Sequence, residues 1–160
     1  MKTMFLALAV IFVSLSVQAF AANISIPDTD ATEGATIEVP VTVDGAKGTA
    51  GFQFTVSYDA SALQATGATA GDLTSGWMVT PNTNEAGQMK VAGVDTTLAG
   101  LQGSSGSIVK LQFKALGKPG AKSTLKFTTC KLSDSMGNKM ASACKEGQIK
   151  IKSGGKGKTK

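Results

Sequence analysis

The sequence predicts an all-β domain, and two features of its residue pattern support this. Val, Ile, Thr and Phe stand in short runs in which apolar and polar residues alternate, and Gly, Asn and Asp interrupt those runs. Alternation with a period of two is typical of a strand with one buried face, whereas an amphipathic helix needs a period near 3.6. Because each run is apolar on one side only, two sheets must cover each other, which indicates a sandwich or a barrel. Only residues 59–64 favour a turn of helix.

Two stretches carry the strand pattern most clearly. In residues 37–43, Ile and Val alternate with polar positions and with Pro40, which lies on the exposed side and therefore predicts an edge strand or a bulge. In residues 51–57, Phe52, Phe54 and Val56 face one way while the intervening polar residues face the other. Further strands are predicted at residues 88–91, 109–115, 125–127 and 149–151.

Residues 1–21 have the three parts of a cleavable secretory signal. Lys2 supplies the positive charge, residues 4–13 are an unbroken apolar run, and small residues occupy the positions that a signal peptidase reads. The run is shorter than the ~20 residues of a membrane-spanning helix, so we expect cleavage and no span in the mature chain. The predicted organisation is a signal peptide at 1–21, one domain at 22–152 and a disordered Lys- and Gly-rich tail at 153–160. We expect a secreted product, either extracellular or periplasmic.

Cys130 and Cys144 are the only cysteines of the sequence, and both belong to the part that is expected to be exported. Two cysteines in an oxidising compartment usually pair, so we expect a disulfide bond between them. A zinc site is not expected, because two sulfurs need further ligands and the sequence contains no histidine.

The charged residues are distributed unevenly along the chain. Residues 22–105 contain two lysines and nine acidic residues, whereas residues 106–160 contain thirteen lysines and two acidic residues. Every basic residue is a lysine, and arginine is the usual reader of bases and phosphates, so we expect no nucleic-acid partner. The uneven distribution favours a dipolar surface that orients a partner.

The residue types that common catalytic and metal sites need are missing or scattered. Without histidine there is no Ser-His or Cys-His nucleophile, and nothing in the pattern places two carboxylates opposite each other. Residues 28–34 resemble a calcium loop but lack the further oxygen ligands and the distal glutamate, so a solvated turn is expected there. We therefore expect no enzymatic activity, no catalytic residue, no metal site and no cofactor.

Several motifs, taken in order, resemble those of the cohesin family. The strongest is residues 48–63, a strand that ends in Tyr58-Asp59 and is followed by a short turn that places Leu63 in the core. Tyr58 has a ring to bury, and Asp59 can cap the turn through its side chain. Four further segments resemble the family's second strand, the turn that opens its fifth strand, its eighth strand and the turn before its last strand: residues 33–43, 70–73, 106–115 and 132–138.

The resemblance covers residues 24–151 and implies a single antiparallel β-sandwich of jelly-roll topology with about nine strands. It also implies a function, since cohesins bind dockerins, the small calcium-loaded helical modules carried by enzymes or scaffold proteins. The calcium belongs to the dockerin and not to the cohesin. The resemblance therefore implies a non-catalytic module with a dockerin-like partner, in the setting of extracellular polysaccharide-degrading assemblies.

The family's binding surface is the exposed face of the sheet built from its third, fifth, sixth and eighth strands. Many members have a polar Asn and Asp where Gly51 and Gln53 stand here, which bears on the partner rather than on the fold. A solvated sheet face is the alternative interpretation of these positions. The resemblance assigns nine residues to the partner-binding face: Gly51, Gln53, Thr55, Gln88, Lys90, Asp95, Thr96, Lys110 and Gln112.

Two other functions fit a sandwich of this kind. A carbohydrate-binding module, with polysaccharide as its partner, would stack a sugar on an exposed ring, and Trp77 is the candidate. Such modules display a row of aromatics, whereas this chain has one Trp and one Tyr, and a Trp partly buried near a sheet edge is the commoner arrangement. A structural surface protein without a dedicated ligand is the third interpretation.

Overall fold

The computed structural model describes residues 21–154. The predicted signal peptide up to residue 20 and the predicted tail from residue 155 lie outside this range. Within it, the chain forms twelve strands and a short 3-10 turn at Asp72–Thr74. The strands are β1 (Ala22–Ser25), β2 (Thr29–Thr32), β3 (Thr36–Asp44), β4 (Gly51–Ser57), β5 (Leu63–Ala70), β6 (Met78–Asn82), β7 (Gln88–Val94), β8 (Ser105–Ala115), β9 (Lys122–Ser133), β10 (Lys139–Met140), β11 (Ser142–Lys145) and β12 (Gly147–Lys152).

These strands form two sheets that cover each other, which confirms the predicted β-sandwich. The five-stranded sheet has the order β11-β1-β3-β8-β5. The seven-stranded sheet has the order β2-β12-β9-β4-β7-β6, and its seventh strand, β10, pairs with β9. Within residues 21–154, no helix has the length and apolarity needed to cross a membrane.

The core lies between the sheets and is built from the alternating apolar positions of the central strands. Phe54 of β4 and Phe113 of β8 are completely buried. Burying one such side chain stabilises the fold by about 1.5–3 kcal/mol. Tyr58 packs edge-on against Phe113, and Leu63 is buried as the motif predicts. The carboxylate of Asp59 accepts hydrogen bonds from the amide and the hydroxyl of Ser61, which confirms its turn-capping role.

Both ends of the described chain pass from one sheet to the other, and they do so side by side. Strand β1 runs parallel to β11 in the five-stranded sheet, and β2 runs parallel to β12 in the seven-stranded sheet. Residues 28–34 are therefore not simply the solvated turn expected from their composition, because Thr29–Thr32 forms β2. These two pairings are the parallel exceptions in an otherwise antiparallel sandwich.

Two contacts hold the chain segments together at the crossing point, one a hydrogen bond and the other a close approach of backbones. The carboxylate of Asp28, just before β2, accepts a hydrogen bond of 2.9 Å from the amide of Gln148 in β12. A β-carbon on Gly147 would overlap the carbonyl oxygen of Ile26, so only glycine lets the two segments approach this closely.

Cys130 and Cys144 form a disulfide bond, as the sequence predicts. Cys130 lies on β9 of the seven-stranded sheet and packs against the core, while Cys144 lies on β11 of the five-stranded sheet. Their Cα atoms are 6.7 Å apart. The bond therefore ties the two sheets together where the short strand β11 forms a sheet edge.

Candidate functional site

The outer face of the seven-stranded sheet is the candidate binding surface. Gln53 of β4 lies between Ala92 of β7 and Lys131 of β9, and Thr80 of β6 continues this row beyond Ala92. These four side chains are exposed. We call the β4 face the set of outward-facing residues Gly51, Gln53, Thr55, Met78, Thr80, Asn82, Gln88, Lys90, Ala92, Val94, Thr129, Lys131 and Ser133.

The structure brings five of the nine assigned residues together on this face. Gly51, Gln53 and Thr55 line β4, and Gln88 and Lys90 lie on the adjacent strand β7. Thr55 pairs with Lys90 on one side but is only 8% exposed, so it contributes little surface. The ammonium of Lys90 forms an exposed ion pair of 3.3 Å with Glu85.

The placement of Lys110 and Gln112 on the same face is wrong. Both belong to β8, in the opposite, five-stranded sheet. The Lys110 ammonium lies 2.9 Å from a carboxylate oxygen of Asp72, and this hydrogen bond and charge raise the pKa of Lys110. The side-chain amide of Gln112 donates a hydrogen bond of 2.9 Å to Glu38. The strand that lies beside β4 is β9 and not β8.

Asp95 and Thr96 follow β7 at one end of the face. Asp95 is 5% exposed, and its carboxylate accepts hydrogen bonds from the amide and hydroxyl of Thr97 and from the amide of Gly100. These hydrogen bonds, above all that from the Thr97 hydroxyl, lower the pKa of Asp95. The structure therefore gives Asp95 a loop-supporting position rather than an exposed one, whereas Thr96 is exposed.

The residues that sequence reasoning missed lie on β6 and on the second half of β9. Alternation along β9 breaks near Phe127, because a bulge places an extra residue of β9 opposite the Thr55/Val56 step of β4. After the bulge the outward positions are Thr129, Lys131 and Ser133. A change of phase after Phe127, from Leu125 and Phe127 to Cys130 and Leu132, is the one sequence signal that could have located them.

A depression of about 500 Å³ lies at one end of the β4 face, around Gly51. A single row of paired residues crosses it from strand to strand: Val94, Gly51, Ser133 and Lys139. Met78 continues this row beyond Val94, outside the lining of the depression. A β-carbon on Gly51 would stand 2.8 Å from the hydroxyl oxygen of Ser133, so glycine keeps the centre of the row low.

Trp77 lies beside this region but is not a free platform. Its ring is half-buried and stacks on Phe52, with the ring centroids 6.2 Å apart. This is the partly buried arrangement that is common for such a residue. In residues 21–154, no group of three or more Cys, Asp or Glu side chains is placed to hold a metal ion.

Comparisons with known proteins identify relatives of this sandwich. The family model of the Cohesin domain matches residues 22–151. A comparison with curated proteins found no match.

Three solved structures illustrate the similarity. The sixth cohesin of scaffoldin B from Acetivibrio cellulolyticus, in complex with a Cel5 dockerin, is 25% identical, with a TM-score of 0.72 over 82% of this chain and 99% of that chain. A non-cellulosomal cohesin from the hyperthermophilic archaeon Archaeoglobus fulgidus is 24% identical, with a TM-score of 0.70 over 82% and 91%. The OlpA cohesin of Clostridium thermocellum, solved with a dockerin as a type I complex, is 21% identical, with a TM-score of 0.72 over 82% and 99%.

Proposed function

The chain belongs to the cohesin domain family, and on that premise we propose that it is a non-catalytic module that binds a dockerin-like protein through the β4 face. The observation that carries the proposal is the face itself. Thr80, Ala92 and Gln53 form a row of exposed side chains across three strands, on a backbone held by pairing. An exposed surface on paired strands suits a partner that lies across it, because little order must be imposed on its backbone on binding.

Two of the similar structures support the choice of partner, since their cohesins were solved as complexes with dockerins. For this chain the dockerin is a proposal that follows from family membership and from the exposed face. Because the calcium belongs to the partner, we expect chelation to abolish binding while leaving the thermal stability of the module unchanged.

The proposal includes export of the chain and work outside the cytoplasm. The signal-like segment at residues 1–21 supports export, and the disulfide between Cys130 and Cys144 fits an oxidising compartment. Recruitment into extracellular polysaccharide-degrading assemblies is part of the same proposal. Mass determination of the protein recovered outside the cytoplasm tests export, since cleavage after Ala21 predicts a chain that begins at Ala22.

A matched pair of variants tests the binding face. Immobilised protein is incubated with the secreted proteins of its own source, with calcium and with a chelator. We expect a calcium-dependent helical partner whose affinity falls at least about tenfold for Gln53→Trp, because bulk at the centre of the face blocks close approach. Gln64→Trp places the same bulk on an exposed position of β5, in the opposite sheet, and should bind normally.

The outcomes separate the dockerin proposal from its alternatives. Capture that does not depend on calcium, or that Gln53→Trp leaves intact, would contradict the proposal. Retention on insoluble polysaccharide that is lost in Trp77→Ala would favour a carbohydrate-binding module instead.

A further inference from the structure

We propose that the depression around Gly51 is a specificity subsite that receives a large apolar side chain of the partner, and that Lys131 and Lys139 beside it meet carboxylates of the same partner. The proposal rests on the proposed function and deepens it, because it describes the partner. A protein that fits this site presents an apolar residue set among acidic ones.

The apolar part of the proposal comes from two exposed apolar side chains beside Gly51, which has no side chain. Val94 is 43% exposed and lies directly beside Gly51, and Met78, 60% exposed, pairs with Val94 on the other side. Phe52 and Leu132 also line the depression, but their side chains are buried, so Val94 is the exposed large apolar side chain of the lining. Adjacent exposed apolar side chains around a concave site usually mark an interaction surface. Met78 lies just outside the lining of the depression, and its flexible side chain can adapt to a partner that covers this end of the face.

The charge of the partner is inferred from the polar rim. Lys131 and Lys139 line the depression, and no acidic residue does. In the part of the chain that the structure describes, neither ammonium lies within 4 Å of a carboxylate. A partner that brings acidic groups would find two unpaired cations, whereas a basic partner would meet like charge.

The acidic residue nearest in sequence forms no ion pair with Lys131 or Lys139. Asp134 lies in the turn between β9 and β10, and its carboxylate accepts hydrogen bonds from the amides of Met136 and Asn138 and from the Asn138 side chain. These hydrogen bonds hold the carboxylate inside its own turn. They also lower the pKa of Asp134, with the Asn138 side chain as the largest cause.

The combination of an apolar depression and lysines favours a protein over a polyanion. A charged polysaccharide would be attracted to lysines wherever they stand, including the paired Lys122 and Lys150 at the other end of the same sheet. It would gain nothing from Val94 and Met78. An apolar side chain that enters the depression is desolvated there, and this is the kind of contact that dominates protein interfaces.

The subsite is tested directly by amide chemical shifts of the isotopically labelled protein. The protein is used in its secreted form. The probes are two helical peptides of about 18 residues, long enough to hold a helix, that share one central Leu flanked by Glu in the first and by Lys in the second. Polyglutamate is the third probe. We expect the Leu/Glu peptide to shift the amides of Gly51, Val94 and Gly137, at an affinity at least about tenfold above that of either other probe.

Two outcomes of the titration would overturn the proposal. If polyglutamate shifts the same amides as tightly as the Leu/Glu peptide, the surface is a polyanion site and the apolar subsite is rejected. If the Leu/Lys peptide binds equally well, the acidic character of the partner is rejected.

Single substitutions give a second, independent readout with matched controls. Lys131→Glu should lower the affinity for the Leu/Glu peptide at least about tenfold, because the substitution replaces attraction to the Glu side chains by repulsion. Lys114→Glu is the same change at an exposed position of β8 on the opposite sheet and should have no effect. Val94→Ser should lower the affinity for the Leu/Glu peptide by a comparable factor. The dependence of that affinity on salt concentration should stay as in the original chain. Thermal unfolding of each variant shows that it is folded.

The subsite and the proposed function can fail separately. If a calcium-dependent partner is lost in Gln53→Trp but binds normally to Lys131→Glu and Val94→Ser, the function stands and the subsite is rejected. If no calcium-dependent partner exists but the Leu/Glu peptide binds as described, the dockerin proposal is rejected and the subsite stands.

Discussion

The ring of Phe52 occupies the space above Gly93, its paired neighbour on β7, where a β-carbon would overlap the ring atoms Cε1 and Cζ. The same ring stacks on Phe54, with centroids 5.1 Å apart, and on Trp77. The Phe52 ring at the centre of this aromatic stack therefore depends on a neighbour that has no side chain.

Gly93→Ala should destabilise the domain. The added methyl group must displace the Phe52 ring from its stack, and overpacking of a buried site costs about 1–3 kcal/mol of the free energy of unfolding. Chemical denaturation measures this. Gly67→Ala is the control, because its β-carbon would meet only the flexible end of Gln112, at 3.2 Å, and should change stability by less than about 0.5 kcal/mol. Equal stability of the two variants would contradict the described packing.

Removal of the disulfide should lower stability without abolishing the fold. The cysteines are 14 residues apart, and closing a loop of this size stabilises a protein by about 3 kcal/mol on the chain-entropy estimate. We expect Cys130→Ser/Cys144→Ser to unfold at correspondingly lower denaturant. Thiol titration of the unsubstituted protein in denaturant should detect no free thiol before reduction and two free thiols after reduction. Reactive thiols before reduction would contradict the bond.

Stability should fall in acid, and the sign follows from the carboxylates that hold turns. Hydrogen bonds lower the pKa of Asp59, Asp95 and Asp134 below the ordinary value of 3.8, in each case chiefly through one side-chain donor. Their contribution is complete above that value and is lost as the pH falls through the lowered folded-state pKa. Since the sequence has no histidine, the melting temperature should be nearly constant between about pH 5 and 7 and fall between about pH 4 and 2.

Asp95→Asn isolates one of these carboxylates. The variant should melt at a lower temperature at neutral pH and lose less stability in acid than the original chain. Glu33→Gln is the control, since the described residues offer the Glu33 carboxylate no hydrogen bond, and the same acid profile is expected. An unchanged acid profile in Asp95→Asn would contradict the assigned role of its hydrogen bonds.

Lys110 and Gln112 should be dispensable for partner binding. Both lie on the opposite sheet, so Lys110→Ala and Gln112→Ala should leave the affinity of a captured partner within about twofold, as expected for distant, independent sites. Calorimetric titration of that partner checks this. A large loss of affinity in either variant would move the binding surface to the five-stranded sheet.

The strands with β-branched and aromatic residues could be predicted from the sequence, because burial on one face leaves a period of two. Strand β3 shows this, and its Pro40 also fits the structure. Strand β1 pairs only with Thr42–Asp44 of β3, so around Pro40 the strand has β8 on one side alone. Strand β5 was not predicted, since Ala, Gly and Thr dominate it and its position is decided by pairing with β8.

The candidate site was only partly predictable for a different reason. Alternation shows which residues of a strand share a face, as Gly51 and Gln53 do. It does not show which other strand pairs with that strand. Lys110 alternates as regularly as Lys90, yet pairing places it in the other sheet. Lys131 follows a bulge that interrupts the alternation and was missed.

The side-by-side crossing of the chain ends also sets an order in time. Strand β2 pairs with β12 and with no other strand among residues 21–154, and the amide of Ile26 donates a hydrogen bond to the carbonyl of Lys145. During synthesis, the beginning of the domain must wait for its last residues before this edge can close. Pairing between such distant segments is slow to form. This edge of the sandwich therefore stays open until residues 147–152 have been synthesised, so the domain reaches its closed form only after translation of its last strand.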